Sequence, residues 1–209
     1  MGSSTRRQRD YARLHAKILN AARTMFVERG YEAVTMRAIA NAIEYSPTTI
    51  YLHFKDKESL IQELCTQDFL KLSQAFQRIA RVADPIERLR RTGLAYAEFG
   101  LRNPNHYRLM FMTPHPPFDP DSTEVEKGNP QKDAYAFLTH IIAECVRGRR
   151  LRRGLTDVEL IAQTVWAGVH GAVSLGIAKG NDPWVQWRTA KKRVALMIDA
   201  LVIGLTRKN

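Results

Sequence analysis

Helix-start punctuation recurs along this chain and constrains what it can fold into. Ser46-Pro47, Asp84-Pro85, Asn103-Pro104 and Asp182-Pro183 each set a capping side chain before a proline. The cap accepts from an otherwise orphaned backbone N–H, and proline at the first helical position has its φ preset and no donor to lose. Between these signals apolar residues return at three- and four-residue steps. Leu14, Ile18, Ala21, Ala22, Met25 and Phe26 predict a first helix closed by Gly30. Thr35 caps a short second helix over 36–42 with Ile39, Ala42 and Ile43 on its apolar side. Ser46-Pro47 opens a third, ending near Phe54. Asp56 caps a long fourth carrying Ile61, Leu64, Leu72, Phe76 and Ile79. Asp84-Pro85 and Asn103-Pro104 open the fifth and sixth, and Ala134, Phe137, Leu138, Ile141, Ile142 and Cys145 mark the seventh. Thr156 with Glu159 reads as a capping box for the eighth, ending at Gly180. Asp182-Pro183 starts the ninth, through Val194, Ile198, Leu201 and Leu205. No stretch alternates as a strand does, so the reading is all-α with about nine helices. Residues 1–13, with Arg6, Arg7, Arg9 and Arg13, read as a flexible basic arm. Residues 113–130 hold five of the nine prolines and read as a long mobile or functional loop.

Charge narrows the partners. Thirty-two Lys/Arg against 21 Asp/Glu give +11, which suits an anionic partner, nucleic acid or a membrane surface. The excess is spread over both halves of the chain and does not by itself locate a binding face. No apolar run is expected to approach the ~18 residues that span a bilayer. The polar, basic start is no secretory signal, so the expected compartment is the cytoplasm. Cys65 and Cys145 match no metal or redox spacing and read as two buried, reduced thiols. No P-loop, nucleophile elbow or H-E-x-x-H is present, so no enzyme, metal or cofactor is expected.

Helices 36–42 and 46–54, joined by a turn of about three residues, have helix-turn-helix spacing. The residues are more specific than the spacing. Thr35-Met36-Arg37-Ala38-Ile39-Ala40 is followed by Ser46-Pro47-Thr48-Thr49-Ile50-Tyr51-Leu52-His53-Phe54-Lys55-Asp56-Lys57-Glu58-Ser59-Leu60. Upstream, Phe26-Val27-Glu28-Arg29-Gly30-Tyr31 ends the first helix at the matching distance. Over about residues 14–64 this resembles the N-terminal signature of the TetR family of transcription regulators. The resemblance implies a three-helix DNA-binding domain (14–60) followed by a helical ligand-binding and dimerisation domain (61–209). It also implies DNA contacts at Thr35, Pro47, Thr48, Tyr51, His53 and Lys57. Independently, Ser46, Thr48 and Thr49 are small hydroxyl residues that let the third helix approach base edges, and Arg37 suits a phosphate. Phe54 is better read as core, Tyr51 as a DNA contact, and His53 equally well as a packing residue. Glu44 stands where the family often has Gly, so the turn either keeps ordinary backbone angles or bears a small cost.

Trp166-Ala167-Gly168-Val169-His170-Gly171, with Asn103-Pro104-Asn105-His106-Tyr107-Arg108-Leu109-Met110-Phe111, resembles a C-terminal domain class of the same family. That implies a homodimer through the last two helices. Gly168, Ala172 and Gly176 fall at four-residue steps, a smooth face read here as the interface rather than packing within the subunit. Tyr96, Phe99, Met110, Phe111, Phe137, His140, Trp166 and His170 are candidates for an apolar effector pocket, although each taken singly reads as ordinary core. Arg147–Arg153 reads as a solvated turn. The function expected is a sequence-specific regulator, a repressor released from a palindromic operator by a small hydrophobic ligand. The alternative is a non-specific architectural DNA-binding protein without an effector.

Overall fold

Side-chain caps set where the helices begin. The computed structural model describes residues 2–117 and 124–207, with side chains from Arg6 onward. Among these residues the chain forms nine helices and no strand. They are α1 (Gly2–Arg29), α2 (Met36–Ala42), α3 (Pro47–Tyr51), α4 (Lys57–Gln77), α5 (Pro85–Arg102), α6 (Pro104–Phe111), α7 (Ala134–Arg147), α8 (Val158–Lys179) and α9 (Ala190–Leu205). The all-α expectation holds. Thr35 Oγ1 accepts from the Ala38 amide at 3.1 Å, Ser46 Oγ from Thr49 at 3.2 Å and Asp56 Oδ1 from Ser59 at 2.7 Å. Each such cap is worth ~1 kcal/mol.

Three expected starts are corrected. Residues expected as an arm are helical, because nothing between Ser3 and Arg29 is Gly or Pro and Arg6 leans on Asp10 at 3.9 Å. α8 is capped by Asp157, whose carboxylate accepts from the Leu160 amide at 3.0 Å, not by Thr156. Glu159 instead accepts from the Tyr135 hydroxyl at 2.5 Å. Asp182-Pro183 opens only a turn, with Asp182 Oδ1 accepting from Trp184 N at 3.0 Å. α9 starts eight residues after Asp182, behind Thr189, and the Arg193 guanidinium covers the Trp187 ring at 4.6 Å.

Contacts gather the chain into two units: Met1–Asp68 with Asn105–Thr123, and Phe69–Pro104 with Glu124–Asn209. The first boundary lies about two helical turns beyond the residue 60 read from sequence, and α6 falls in the first unit. Ile18, Ala22, Phe26, Val34, Ile39, Ile50, Leu60 and Leu64 of that unit are completely buried. So is the Asp68 carboxylate, which pairs with the Arg23 guanidinium and meets His106 Nδ1 at 2.7 Å.

In the second unit α8 packs against α5, α7 and α9. The small residues of α8 serve this packing and do not form an outward face. A Cβ on Gly168 would stand 2.8 Å from Leu201 Cδ1, one on Gly176 would stand 3.0 Å from Arg193 Nη2, and Ala172 is buried. A different face stays uncovered, with Leu175 53%, Leu196 71% and Ile203 64% exposed and open space beside Gly171 and Gly204. The expectation about apolar runs also needs correcting: Leu160–Ala178 carries no charged residue, and α8 is long and apolar enough to cross a bilayer by length and composition. Part of the proline-rich loop, 118–123, lies outside the described residues. Its distal end is fixed, since Ser73 Oγ donates to the Gln131 carbonyl at 2.9 Å and Gln77 Nε2 to the Pro130 carbonyl at 2.7 Å.

The turn between α2 and α3 resolves the choice posed by Glu44, whose φ is +63°. The Tyr45 amide donates to the Ala40 carbonyl at 3.0 Å and the Glu44 amide to Asn41 at 3.2 Å. This is a Schellman closure with a non-glycine residue in the left-handed position. Side chains there cost roughly 1–2 kcal/mol, so Glu44→Gly should raise unfolding free energy by about 0.5–1 kcal/mol after glycine's own entropy is charged. Denaturant titration checks this; an unchanged or lower midpoint would show that the turn bears no strain.

Candidate nucleic-acid interface

α3 is only five residues long, and its hydroxyls fall into two groups. Ser46 Oγ and Thr49 Oγ1 lie 2.8 Å apart and close the N-cap, so both are committed to shaping the helix. Thr48 and Tyr51 are exposed, Tyr51 at 54%, and their hydroxyls have no partner among the described residues. Pro47 is half-buried at the first helical position, and Ile50 is fully buried and anchors the opposite side of the helix. Phe54 is buried as expected. Thr35 caps α2 and Arg37 is exposed in the first turn behind it.

Lys57 has a structural partner that sequence does not reveal. Its ammonium donates to the Tyr31 carbonyl at 3.0 Å and lies 4.1 Å from the Tyr31 ring centroid. An ammonium has three donors, so two remain for a phosphate. His53 is half-buried under an aromatic stack. Tyr11 covers it at 4.1 Å with planes 22° apart, and His15 stands 5.5 Å away and stacks in turn on Phe54 at 4.6 Å. His15 Nε2 is 2.6 Å from Glu63. Burial, then the neighbouring His15, hold the His53 imidazole below its ordinary pKa, which favours the neutral ring at pH 7. These contacts are those of the packing role that the sequence left open for His53 beside DNA contact.

Two exposed residues at this surface escaped sequence reasoning. Leu52, 72% exposed just after α3, has no signal in a single sequence. Tyr11 had one, its four-residue spacing from His15 on one face of a helix.

In the second unit the candidate effector residues come together only in part. Trp166 Nε1 donates to the Tyr96 hydroxyl at 3.0 Å, and that oxygen lies 3.2 Å from His170 Nδ1. Since indole N–H only donates, the Tyr96 proton points to Nδ1, and burial lowers the His170 pKa in keeping with a neutral acceptor ring. Phe137 packs on Phe76 at 5.6 Å. Phe99 is half-buried and passes its carbonyl to the Asn103 side chain at 2.9 Å. His140 departs from the expected cluster: it is exposed and bonded to Glu144 at 2.9 Å, four residues along the same helix. Met110 and Phe111 fall in the first unit, where Phe111 meets the Tyr107 ring at 4.9 Å. A narrow apolar cavity between α5, α8 and α9 is lined by Leu89, Gly93, Val165, Val169, Ile198 and Leu201, none of them an expected pocket residue.

Comparison with known proteins agrees with this geometry. Residues 18–64 match the model for bacterial regulatory proteins of the tetR family, and residues 89–201 match a tetracyclin repressor-like C-terminal domain. The HTH-type transcriptional repressor KstR2 of Mycolicibacterium smegmatis is 32% identical over 167 residues, covering 74% of this chain and 77% of that one. The HTH-type transcriptional regulator UidR of Escherichia coli K12 is 42% identical over 71 residues, 34% of this chain, and this chain spans only 33% of UidR. Among solved structures, KstR2 of Mycobacterium tuberculosis superposes with a TM-score of 0.67 at 20% identity, covering 93% of this chain and 96% of that one. The fatty acid degradation regulator FadR of Bacillus halodurans gives 0.67 at 16%, covering 90% and 94%. At these identities the structures share the fold. Two family models matched in order along one chain, together with the KstR2 relative, settle the family: the chain belongs to the TetR family of DNA-binding bacterial transcription regulators.

Proposed function

We propose that the protein is a homodimeric repressor that occupies a near-palindromic operator in the cytoplasm and leaves it when a small hydrophobic effector binds. In this reading residues 14–60 read DNA, and residues 61–209 dimerise and sense the effector. The observation that carries it is the division of hydroxyls on α3, with Ser46 and Thr49 closed into the cap while Thr48 and Tyr51 face outward unpartnered. A sequence-indifferent architectural binder would need no such division. Thr48 and Tyr51 are assigned to base edges. Thr35, Arg37, Pro47 and Lys57 position the helix on phosphates and sugars, and Ser46, Thr49 and His53 hold its shape. Two recognition helices on one face of a duplex require half-sites about 34–36 Å, or a multiple, apart. On an operator selected from random duplexes, Thr48→Ala should relax preference at one or two base pairs. Arg37→Ala should weaken all sequences alike and flatten the salt dependence by about one unit of slope. Reversed behaviour of the two variants would refute these roles.

The uncovered face of α8 and α9 supports the dimer, since exposed aliphatics there flank open space at Gly171 and Gly204. A Cβ added at Gly171 meets nothing within 4 Å in its own subunit, so a Trp side chain there starts outward from open space. Gly171→Trp should therefore leave the fold intact and yield a monomer in light scattering; a persistent dimer would move the interface elsewhere.

The hydrogen-bonded trio Tyr96, Trp166 and His170 supports an effector site with a polar end in an apolar surround. Two structures of the same fold are named a ketosteroid transcriptional regulator and a fatty acid degradation regulator, and we take apolar molecules of those kinds as the candidates to test. α4 begins in the first unit and ends in the second, so it offers one continuous helical path for the coupling. A coupling of ~1–3 kcal/mol gives ~5–150-fold release, and the linkage is reciprocal. Steroids and fatty acids should thus bind the free protein more tightly than the operator-bound protein by the factor with which they release DNA. Equal affinities in the two calorimetric titrations would exclude the mechanism.

A further inference from the structure

The N-terminal turns of α1 are a charged surface that the reading of α3 leaves unused. Residues 6–13 are all exposed and carry Arg6, Arg7, Arg9 and Arg13 against a single acid, Asp10. The first buried residue of α1 is Ile18. From Arg7 to Ile18 the helix rises about 16 Å, so its first turns project well past the core of their unit.

This projection is held against the recognition helix. Tyr11 lies flat on His53 at 4.1 Å, and His15, one turn on, stacks on Phe54 and contacts Glu63 at 2.6 Å. His53 and Phe54 lie two and three residues past Tyr51, the last residue of α3. Residues four apart share a helix face, so the side of α1 that presents His15 and Tyr11 to the end of α3 continues to Arg7, about 6 Å further along the axis. Arg7 is exposed and has no acid partner among the described residues, whereas Arg6 leans on Asp10. A guanidinium one turn beyond that ring contact has the charge and the donor fork for a phosphodiester.

We infer that the first turns of α1 form a second DNA-contacting element, in which Arg7 binds the phosphate backbone flanking the bases read by α3 and Tyr11, stacked on His53, is the positioning residue. The inference rests on α3 being the recognition helix. A pre-formed helix here also loses less conformational freedom on binding than a flexible arm would.

The test uses the full-length protein on the selected operator and on a random-sequence duplex, with affinity measured across a salt series. Arg7→Ala should weaken both duplexes and lower the slope of log affinity against log salt by about one. Tyr11→Ala should lower the slope in the same way although it removes no charge, and Tyr11→Phe, which keeps the ring, should restore the wild-type slope. Both positions are exposed, and melting temperatures close to wild type identify a binding effect. An unchanged slope in Arg7→Ala, or in Tyr11→Ala, overturns the inference. If Thr48→Ala alters base preference in that same case, α3 stands as the recognition helix and only the second element is lost. An unaltered preference in Thr48→Ala withdraws the reading of α3 itself and the inference with it.

Discussion

Asp68 sits on α4 with no solvent exposure, and the first unit is arranged around its charge. A buried carboxylate is tolerable only when paired and hydrogen-bonded, and removing one member of such a pair typically costs ~3–5 kcal/mol. Arg23 from α1 and His106 from α6 meet that requirement together. The ion pair fixes α1 against α4 in register, because a slide of one turn along α1 would leave both charges in apolar surroundings. That register determines where Tyr11 and His15, about three and two turns upstream of Arg23, meet the end of α3. The orientation of α3 is thus traceable to a buried salt bridge between α1 and α4.

The short α3 needs such outside support. Five residues make too few backbone bonds to hold a helix alone. Its start is held by the Ser46 and Thr49 hydroxyls, its inner side by Ile50, and its end by the ring stack on His53. Before it, the Schellman turn keeps a left-handed angle at Glu44 rather than relaxing. The bonds to Ala40 and Asn41 and the burial of Ile43 outweigh a strain of roughly 1–2 kcal/mol.

Local chemistry was legible in the sequence, and tertiary use of it was not. Ser46-Pro47 and Asp84-Pro85 open helices as their residue types dictate. Asp182-Pro183 carries the same signal and fails, because the Asp182 carboxylate takes the Trp184 amide in a turn and the Trp187 ring is held by Arg193. Thr156 lost its capping role to Asp157, one residue on, which a capping-box pattern cannot rank. The small residues of α8 were visible as a stripe, but whether α9 or another chain would fill it depends on packing; Leu201 fills it. Among the candidate contact residues, exposure of Thr48 and Tyr51 followed from the motif. The half-buried settings of Lys57 and His53 did not, since each depends on a residue of another element, Tyr31 and Tyr11.

The chain crosses between its two contact units more than once, since α6 returns to the first after α5 has left it. Tyr107 and Leu109 on that helix are completely buried, and His106 completes the setting of Asp68. The first unit is therefore not a contiguous cassette. A chimera that joins residues 1–68 to a foreign sensor would inherit the recognition helix but not the imidazole on Asp68. Recombination between such regulators is expected to succeed only where the donor supplies its own equivalent of α6, so head and sensor exchange as matched sets.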